Sequence, residues 1–145
     1  MDAFSASLMA DKREIVFAPT VYKFQTFAQM AEEFKLGERD VVLTNEFIYT
    51  PFMKELSLKC NFVFQEKFGA GEPSEAMIQT MYDAIPYDSY DRVIAVGGGA
   101  IMDLCKLLGC KRPDTVHNLY FKRFPVVHEK DVIAIPTTCG TGSEC

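Results

Sequence analysis

Three consecutive glycines, Gly97, Gly98 and Gly99, have the residue type and the spacing that a phosphate-binding turn requires. Glycine tolerates positive φ angles and has no Cβ that would hold a ligand away from the main chain. The apolar residues 93–96 precede the glycines and favour a buried strand, and a helical pattern follows them. A helix that starts at such a turn directs free N–H groups and the positive end of its dipole at one point. The pattern therefore predicts either a phosphate site or a plain strand-to-helix turn.

The glycine turn matches neither of two common phosphate-binding fingerprints. Met102 stands where GxGxxG would have its third glycine, and Lys106 follows Cys105 where GxxxxGK[ST] would have a glycine. The local pattern alone thus leaves the phosphate site and the plain turn as alternatives.

A second loop of small residues follows another apolar run. Residues 132–135 form that run, Pro136 ends it, and the loop reads TTCGTGSE. Its hydroxyl-bearing side chains belong to Thr137, Thr138, Thr141 and Ser143. Many donors and little bulk suit close contact with a polar ligand, although the same residue types also make ordinary turns. Two such loops after two buried strands favour a shared ligand.

The elements that position these loops follow from hydrophobic spacing. Short apolar runs predict strands over residues 15–18, 40–44, 61–64, 93–96 and 132–135. Helical spacing predicts helices over residues 24–34, ended by Gly37, and over residues 49–58, 73–85 and 101–108. Residues 110–130 are expected to be irregular. This alternation predicts an α/β, Rossmann-like parallel sheet with helices on both faces and right-handed crossovers, with both loops at the carboxyl ends of strands.

Composition and charge exclude several classes of function. The chain has 145 residues, enough for one domain, and a net charge of −5, so a nucleic-acid partner is not expected. It has no apolar run long enough to cross a membrane and no basic, apolar leader, so neither a membrane partner nor secretion is expected. Its five cysteines include no CxxC pair, which favours reduced thiols in the cytoplasm. His117 and His128 lie in no metal-ligand spacing and are expected to be surface or structural residues.

The two loops resemble the signatures of a known enzyme family. GGGAIMDLCK is similar to the GGGSxxDxAK motif of the iron-containing (group III, metal-dependent) alcohol dehydrogenases, and PTTCGTGSE matches that family's PTTxGTGSE segment. VYKF, TNEFIYTPFM and FQEKFGAGEPSEAMI resemble the 4-hydroxybutyrate dehydrogenase branch. The resemblance extends from about Ala18 to the end of the chain. It implies a Rossmann-like N-terminal domain of the dehydroquinate synthase type.

The resemblance implies a dinucleotide site along the two loops, for NAD with NADP not excluded. The cofactor-binding residues expected from it are Asn45, Gly97, Gly98, Gly99, Ala100, Asp103, Thr137, Thr138, Thr141 and Ser143. The amides of Gly98, Gly99 and Ala100 would bind the pyrophosphate. Ala100 stands where the family has Ser, so we expect weaker binding there. Asp103 is expected in the first turn of the helix, either near the nicotinamide and substrate or as a plain helix-start carboxylate.

Asn45 occupies the position at which dinucleotide folds often carry an acidic residue. Such a residue bonds the adenine ribose hydroxyl and repels a 2′-phosphate. Asn45 can form the hydrogen bond but has no charge, and Glu46 follows it directly. The preference between NAD and NADP therefore stays open, and a helix cap is the structural alternative for Asn45.

The resemblance further implies a metal-assisted hydride transfer that this chain alone does not complete. In the family, a divalent metal, iron or zinc, polarises the alcohol and is held by one Asp and three His of a helical C-terminal domain. No catalytic residue or metal ligand is therefore expected in residues 1–145, a partial N-terminal NAD-binding domain without turnover of its own. The expected reaction is the reversible oxidation of a primary alcohol, 4-hydroxybutyrate, to succinate semialdehyde by a full-length homo-oligomer. Its only expected partner is a small-molecule alcohol or aldehyde.

Three other functions are compatible with the same residues. The chain could belong to another small-alcohol or diol dehydrogenase of the family. It could also be a non-catalytic nucleotide-binding or regulatory module. A flavodoxin-like domain that binds a flavin phosphate is the third alternative.

Overall fold

Four parallel strands form the centre of the molecule. The computed structural model describes residues 19–121, 123–140 and 142–143. The strands are β1 (Asp40–Thr44), β2 (Asn61–Phe64), β3 (Arg92–Gly97) and β4 (Asp131–Pro136), in the spatial order β2-β1-β3-β4. All three pairings are parallel. The predicted parallel sheet is thus confirmed, whereas the strand predicted over residues 15–18 lies outside the described residues.

Five α-helices connect and flank the strands. They are α1 (Phe27–Glu33), α2 (Glu46–Phe52), α3 (Glu75–Ala84), α4 (Gly99–Gly109) and α5 (Val116–Tyr120). Short 3₁₀ helices at Lys54–Leu56, Gln65–Lys67 and Tyr87–Ser89 complete the connections. None of the helices in the described ranges has the length and apolar character that crossing a bilayer requires.

Several helix boundaries differ from those predicted by hydrophobic spacing. The helix expected over residues 24–34 begins only at Phe27. The Thr26 side chain caps this helix, because its hydroxyl oxygen accepts a hydrogen bond from the Gln29 amide. Lys35 then takes a φ of 51°, which ends the helix before Gly37. The irregular region expected over residues 110–130 contains α5, which Thr115 caps through the Asn118 amide.

The helix expected over residues 49–58 is displaced toward the N-terminus. It begins at Glu46, directly after Asn45, and ends at Phe52. Pro51 inside this helix has no N–H to donate. A 3₁₀ turn follows, and Ser57 takes a φ of 48°, so the chain leaves the helical path before residue 58.

Helices cover both faces of the sheet, as predicted. One face carries Val41, Leu43, Val93 and Ala95, and α3, α4 and α5 pack on it; we call it the α3/α4 face. The other face carries Val42, Ile94 and Val96, and α1 and α2 pack on it; we call it the α1/α2 face. The two faces alternate along each strand, because neighbouring side chains of a strand point to opposite sides. Nearly all strand residues of β1 and β3 are therefore buried.

The crossovers leave β1 and β3 in opposite directions. From β1 the chain crosses the α1/α2 face to β2, and from β3 it crosses the α3/α4 face to β4. Opposite directions on opposite faces are what right-handed crossovers produce. Parallel sheets bind ligands at such a switch point, in the crevice beyond the carboxyl ends of the strands. The loops after β1 and β3 therefore flank the place where a ligand is expected.

Charged side chains link the strands at their amino ends, on the edge opposite to that crevice. Asp40, which is buried, accepts hydrogen bonds from Arg92 Nε at 2.7 Å and from the Gly37 amide at 2.7 Å. Lys130 Nζ donates to the carbonyls of Tyr87 and Tyr90. Those bonds fix the starts of β1, β3 and β4 relative to one another.

Candidate functional site

The two loops of small residues meet at the carboxyl ends of β3 and β4. Gly97 and Pro136 are partners in the parallel register. The Thr137 amide donates to the Gly97 carbonyl at 2.9 Å, which continues the pairing past the ends of the strands. The bends around Gly98 and Thr138 therefore lie on the same edge of the sheet.

Gly97 and Gly98 are glycines for different reasons. A Cβ on Gly97 would lie 2.6 Å from Ile101 Cδ1, so Gly97 lets α4 pack closely against the end of β3. A Cβ on Gly98 would make only an ordinary contact, 3.5 Å from Thr138 Oγ1. Gly98 has a φ of −85° and needs no special backbone freedom. Its lack of a side chain instead leaves its main chain accessible to a ligand beside Thr138.

The start of α4 offers main-chain donors at this point. Gly98 is its N-cap residue and has no side chain that could cap the helix. The first amides of a helix have no carbonyl partner within it. Gly99 and Ala100, the first two residues of α4, are half-buried. No acidic residue lies in the first turn of this 11-residue helix, so its positive end is not neutralised locally.

Asp103 lies further along α4 than the sequence predicted. The helix begins at Gly99, so its first turn ends at Met102 and contains no acidic residue. The prediction that Asp103 lies in the first turn is therefore wrong. Its side chain is exposed in the second turn, where the helix dipole acts on it less.

Asn45 follows β1, across the crevice from Gly98. It occupies the N-cap position of α2, yet its side chain forms no capping hydrogen bond. Asn45 Nδ2 instead lies 3.5 Å from Gln65 Oε1, and Gln65 Nε2 lies 3.4 Å from the Gly71 carbonyl. The structural alternative of a side-chain cap thus does not apply to Asn45. Its amide group is oriented by the residue that follows β2.

Two residues that sequence reasoning missed lie at the end of β2. Gln65 is buried and orients Asn45, and Glu66 accepts a hydrogen bond from the Glu46 amide at 3.1 Å. Both follow directly after a predicted strand, at the same edge as the glycine loop. Their position after β2 was the only signal in the sequence that could have found them.

The remaining predicted cofactor residues do not all lie at the same place in the structure. Thr137 and Thr138 are exposed beside Gly98, and the Thr137 amide is already used in the bond to Gly97. Ser143 lines a cleft beside α4, together with Met102 and Lys106. Thr141 lies outside the described residues. The structure therefore brings Asn45, Gly98 and Thr138 to one edge and puts Ser143 in a neighbouring cleft.

Both histidines have protein neighbours in the structure. His117 Nδ1 lies 3.5 Å from Glu75 Oε1, and Cys110 Sγ lies 3.8 Å from His128 Nδ1. In the described part of the chain, no three His, Cys, Asp or Glu side chains are grouped as a metal ion would require.

Comparison with known proteins agrees with this arrangement. The sequence profile described as iron-containing alcohol dehydrogenase matches residues 18–145. The chain belongs to the iron-containing alcohol dehydrogenase family. A 4-hydroxybutyrate dehydrogenase from Clostridium kluyveri is 46% identical over 127 residues, which are 88% of this chain and 34% of that protein. A mitochondrial hydroxyacid-oxoacid transhydrogenase from Rattus norvegicus is 38% identical over 81 residues, which are 50% of this chain and 17% of that protein.

Two solved structures share the fold of the chain. An iron-containing alcohol dehydrogenase from Thermotoga maritima aligns with a TM-score of 0.59 at 25% identity, over 81% of this chain and 34% of that protein. A sulfoacetaldehyde reductase from Bifidobacterium kashiwanohense, solved in complex with NAD⁺, aligns with a TM-score of 0.61 at 21% identity, over 81% of this chain and 33% of that protein. The chain spans about a third of the length of these two proteins and of the Clostridium dehydrogenase.

Proposed function

We propose that the chain is the cofactor-binding part of an NAD-dependent dehydrogenase that reversibly oxidises 4-hydroxybutyrate to succinate semialdehyde. The observation that carries the substrate is the 46% identity with a 4-hydroxybutyrate dehydrogenase over 88% of the chain. The geometry at the carboxyl edge supports the cofactor, because it combines a switch point, an uncapped helix start and two loops of small residues.

Each side of the crevice has a proposed role in holding the dinucleotide. The amides of Gly98, Gly99 and Ala100 bind the pyrophosphate, whose charge the start of α4 stabilises. The adenosine half extends over β1, where Asn45 accepts or donates a hydrogen bond at the ribose. The nicotinamide half extends toward β4, where Thr137, Thr138, Thr141 and Ser143 bound the cofactor. Asp103 remains a proposed neighbour of the nicotinamide end, one turn further along α4.

Hydride transfer needs a polarised alcohol in addition to a bound cofactor. A divalent metal ion, iron or zinc, supplies that polarisation as a Lewis acid when bound. We place its ligands in a helical domain outside these 145 residues. This chain accordingly contributes the orientation of the nicotinamide and no ligand to the metal.

The test uses the full natural chain, purified with iron or zinc. Formation of NADH is followed with 4-hydroxybutyrate, with ethanol and with 1,3-propanediol, and NADH binding is followed separately by fluorescence. We expect kcat/KM for 4-hydroxybutyrate to exceed that for both alcohols by roughly 100-fold, since a site built for a polar group rejects substrates that lack it.

The two readouts separate the parts of the proposal. A preference for ethanol or the diol would overturn the proposed substrate and leave the proposed cofactor unaffected. Failure to bind NADH, with flavin mononucleotide binding in its place, would overturn the dehydrogenase and favour the flavodoxin-like alternative. NADH binding without turnover of any alcohol would favour the non-catalytic module.

A further inference from the structure

A hydrogen bond joins the ends of β1 and β2 beside Asn45. The Glu46 amide donates to Glu66 Oε1 at 3.1 Å. The two residues are 20 positions apart in sequence, and the parallel register, which pairs Thr44 with Phe64, brings them together. The Glu66 carboxylate is therefore held next to the residue that faces the crevice from β1.

The side-chain amide of Asn45 also contacts a residue that follows β2. Its Nδ2 is directed to Gln65, which is buried and contacts the Gly71 carbonyl in turn. Asn45 Oδ1 makes no hydrogen bond with any residue in the described ranges. That oxygen can therefore accept a hydrogen bond from a hydroxyl group. The negative charge at this edge comes from the neighbouring residues Glu46 and Glu66.

The charges of the two neighbouring carboxylates, Glu46 and Glu66, bear on which nucleotide can enter here. In the part of the chain that the structure describes, Glu46 and Glu66 form no ion pair. Lys67 follows Glu66, but its Nζ lies 5.4 Å from the centroid of the Phe64 ring. Both glutamates are exposed, so their negative charge acts on whatever enters from solvent at the end of β1.

We propose that Glu66 is the residue that rejects a 2′-phosphate, so that this site prefers NAD over NADP although Asn45 is uncharged. The inference rests on the proposed function, because it concerns the adenosine end of the same cofactor. Glu66 reaches this position from β2, whereas the acidic residue of dinucleotide folds usually follows the strand next to the glycine turn. Asn45 keeps the hydrogen bond to the ribose, and Glu66 supplies the charge.

Glu66 is a better candidate for this role than Glu46. The Glu66 carboxylate is held by a hydrogen bond from the Glu46 amide, whereas in the described residues the Glu46 carboxylate has neither a hydrogen bond nor an ion pair. A fixed charge repels a dianion more effectively than one that can turn away into solvent. Glu46 adds a second negative charge in the first turn of α2.

The experiment compares Glu66→Gln with the unaltered full natural chain. Gln keeps an oxygen that can accept from the Glu46 amide and removes the charge. Dissociation constants of NADH and NADPH are measured by fluorescence in low salt and in high salt. We expect NADPH affinity to rise about five- to tenfold and NADH affinity to change less than about twofold, with the gain shrinking in high salt because screening weakens an exposed charge.

Glu38→Gln is the matched control. Glu38 is exposed near the amino ends of the strands, so its substitution removes one negative charge at the opposite edge of the sheet. An equal gain of NADPH affinity in Glu38→Gln would assign the effect to net charge and overturn the inference. An unchanged NADPH to NADH ratio in Glu66→Gln would also overturn it, with the proposed function intact as long as NADH binds. Loss of binding of both nucleotides by the unaltered chain would instead overturn the proposed function.

Discussion

The Thr137 amide lies 2.9 Å from the Gly97 carbonyl and donates a hydrogen bond to it. This bond extends the pairing of β3 and β4 into the loops that follow them. It holds Thr138 so close that a Cβ on Gly98 would be 3.5 Å from its hydroxyl oxygen. This main-chain bond thus holds the two loops of the proposed cofactor site close to each other.

Replacement of Gly98 by alanine tests whether a ligand contacts the main chain there. The added Cβ makes only ordinary contacts, and a φ of −85° suits alanine, so we expect an unchanged melting temperature. A methyl group would, however, hold a pyrophosphate away from the α4 amides, and we expect NADH affinity to fall by about tenfold or more. Fluorescence titration and thermal unfolding give the two readouts.

Gly37→Ala is the matched control for that substitution. The nearest atom to a Cβ on Gly37 would be the Lys35 carbonyl oxygen at 4.0 Å, at the amino-end edge. We expect its NADH affinity to equal that of the unaltered protein. Equal affinities of the Gly98 and Gly37 variants would show that no ligand contacts the main chain at Gly98.

The pair formed by Asp40 and Arg92 predicts a large effect on stability. Asp40 is 5% exposed and accepts two bonds from Arg92, at 2.7 and 2.9 Å. Removal of one member leaves the other charge poorly compensated, so we expect Asp40→Ala to lower the free energy of unfolding by about 3–5 kcal/mol. Urea denaturation measures the change.

The double variant with Arg92→Met distinguishes a charge effect from a packing effect. It removes both charges and should lose less stability than the sum of the single variants. Strictly additive losses of unfolding free energy would mean that Asp40 acts chiefly by accepting a hydrogen bond from the Gly37 amide, and not by pairing with Arg92.

The cysteines are expected to differ in their reaction with a thiol reagent. Cys139 is exposed in the loop after β4, whereas Cys105 and Cys110 are buried and Cys60 is half-buried. Burial raises the pKa of Cys60 to about 11 and also raises the pKa values of Cys105 and Cys110, so these thiols supply little thiolate. Among the four cysteines that the structure describes, iodoacetamide should therefore modify Cys139 first.

Bound NADH should slow the modification of Cys139 if the loop lines the cofactor. Tandem mass spectrometry locates the modified residue, and Cys139→Ser is the control for modification elsewhere. Equal modification of Cys139 with and without saturating NADH would argue against contact between this loop and the cofactor.

Tyr82 predicts a loss of stability at alkaline pH. Burial raises its pKa to about 12, although Arg112 nearby favours the phenolate. An unfolded tyrosine ionises near pH 10, so the neutral phenol contributes stability that is complete below about pH 10 and is lost as pH rises toward 12. Free energies of unfolding measured across this range should fall, with less slope in Tyr82→Phe. Parallel slopes would show that other groups cause the loss.

Short apolar runs were sufficient to place the strands. Residues 40–44 and 61–64 coincide with β1 and β2, because each strand of this parallel sheet carries a short apolar run; β1 is buried throughout, whereas in the edge strand β2 only Val63 is buried. The adjacency of the two loops followed as well, since parallel strands end at the same edge. Helix boundaries were less predictable, because Thr26 and Ser57 act through cap bonds and backbone angles that apolar spacing does not record.

The details of the site depended on contacts between distant residues. Helix α4 begins at Gly99, two residues before the predicted start at residue 101, and Asp103 therefore lies beyond its first turn. The approach of Glu66 to Glu46 depends on the register of β1 with β2, which the sequence does not state. Side chains that act across strands therefore required the structure.

The amino ends of the strands are linked by side chains, so we expect the sheet to be less mobile there than at its carboxyl ends. Bonds from Lys130 to Tyr87 and Tyr90 tie the start of β4 to the segment before β3, whereas the loops beyond these strands are joined by the main-chain bond from Thr137 to Gly97. Spontaneous opening should therefore begin at the carboxyl ends, where amide hydrogens exchange sooner. A molecule that bridges these loops would restrict that motion, so its binding carries an entropic cost and slows hydrogen exchange at Thr138.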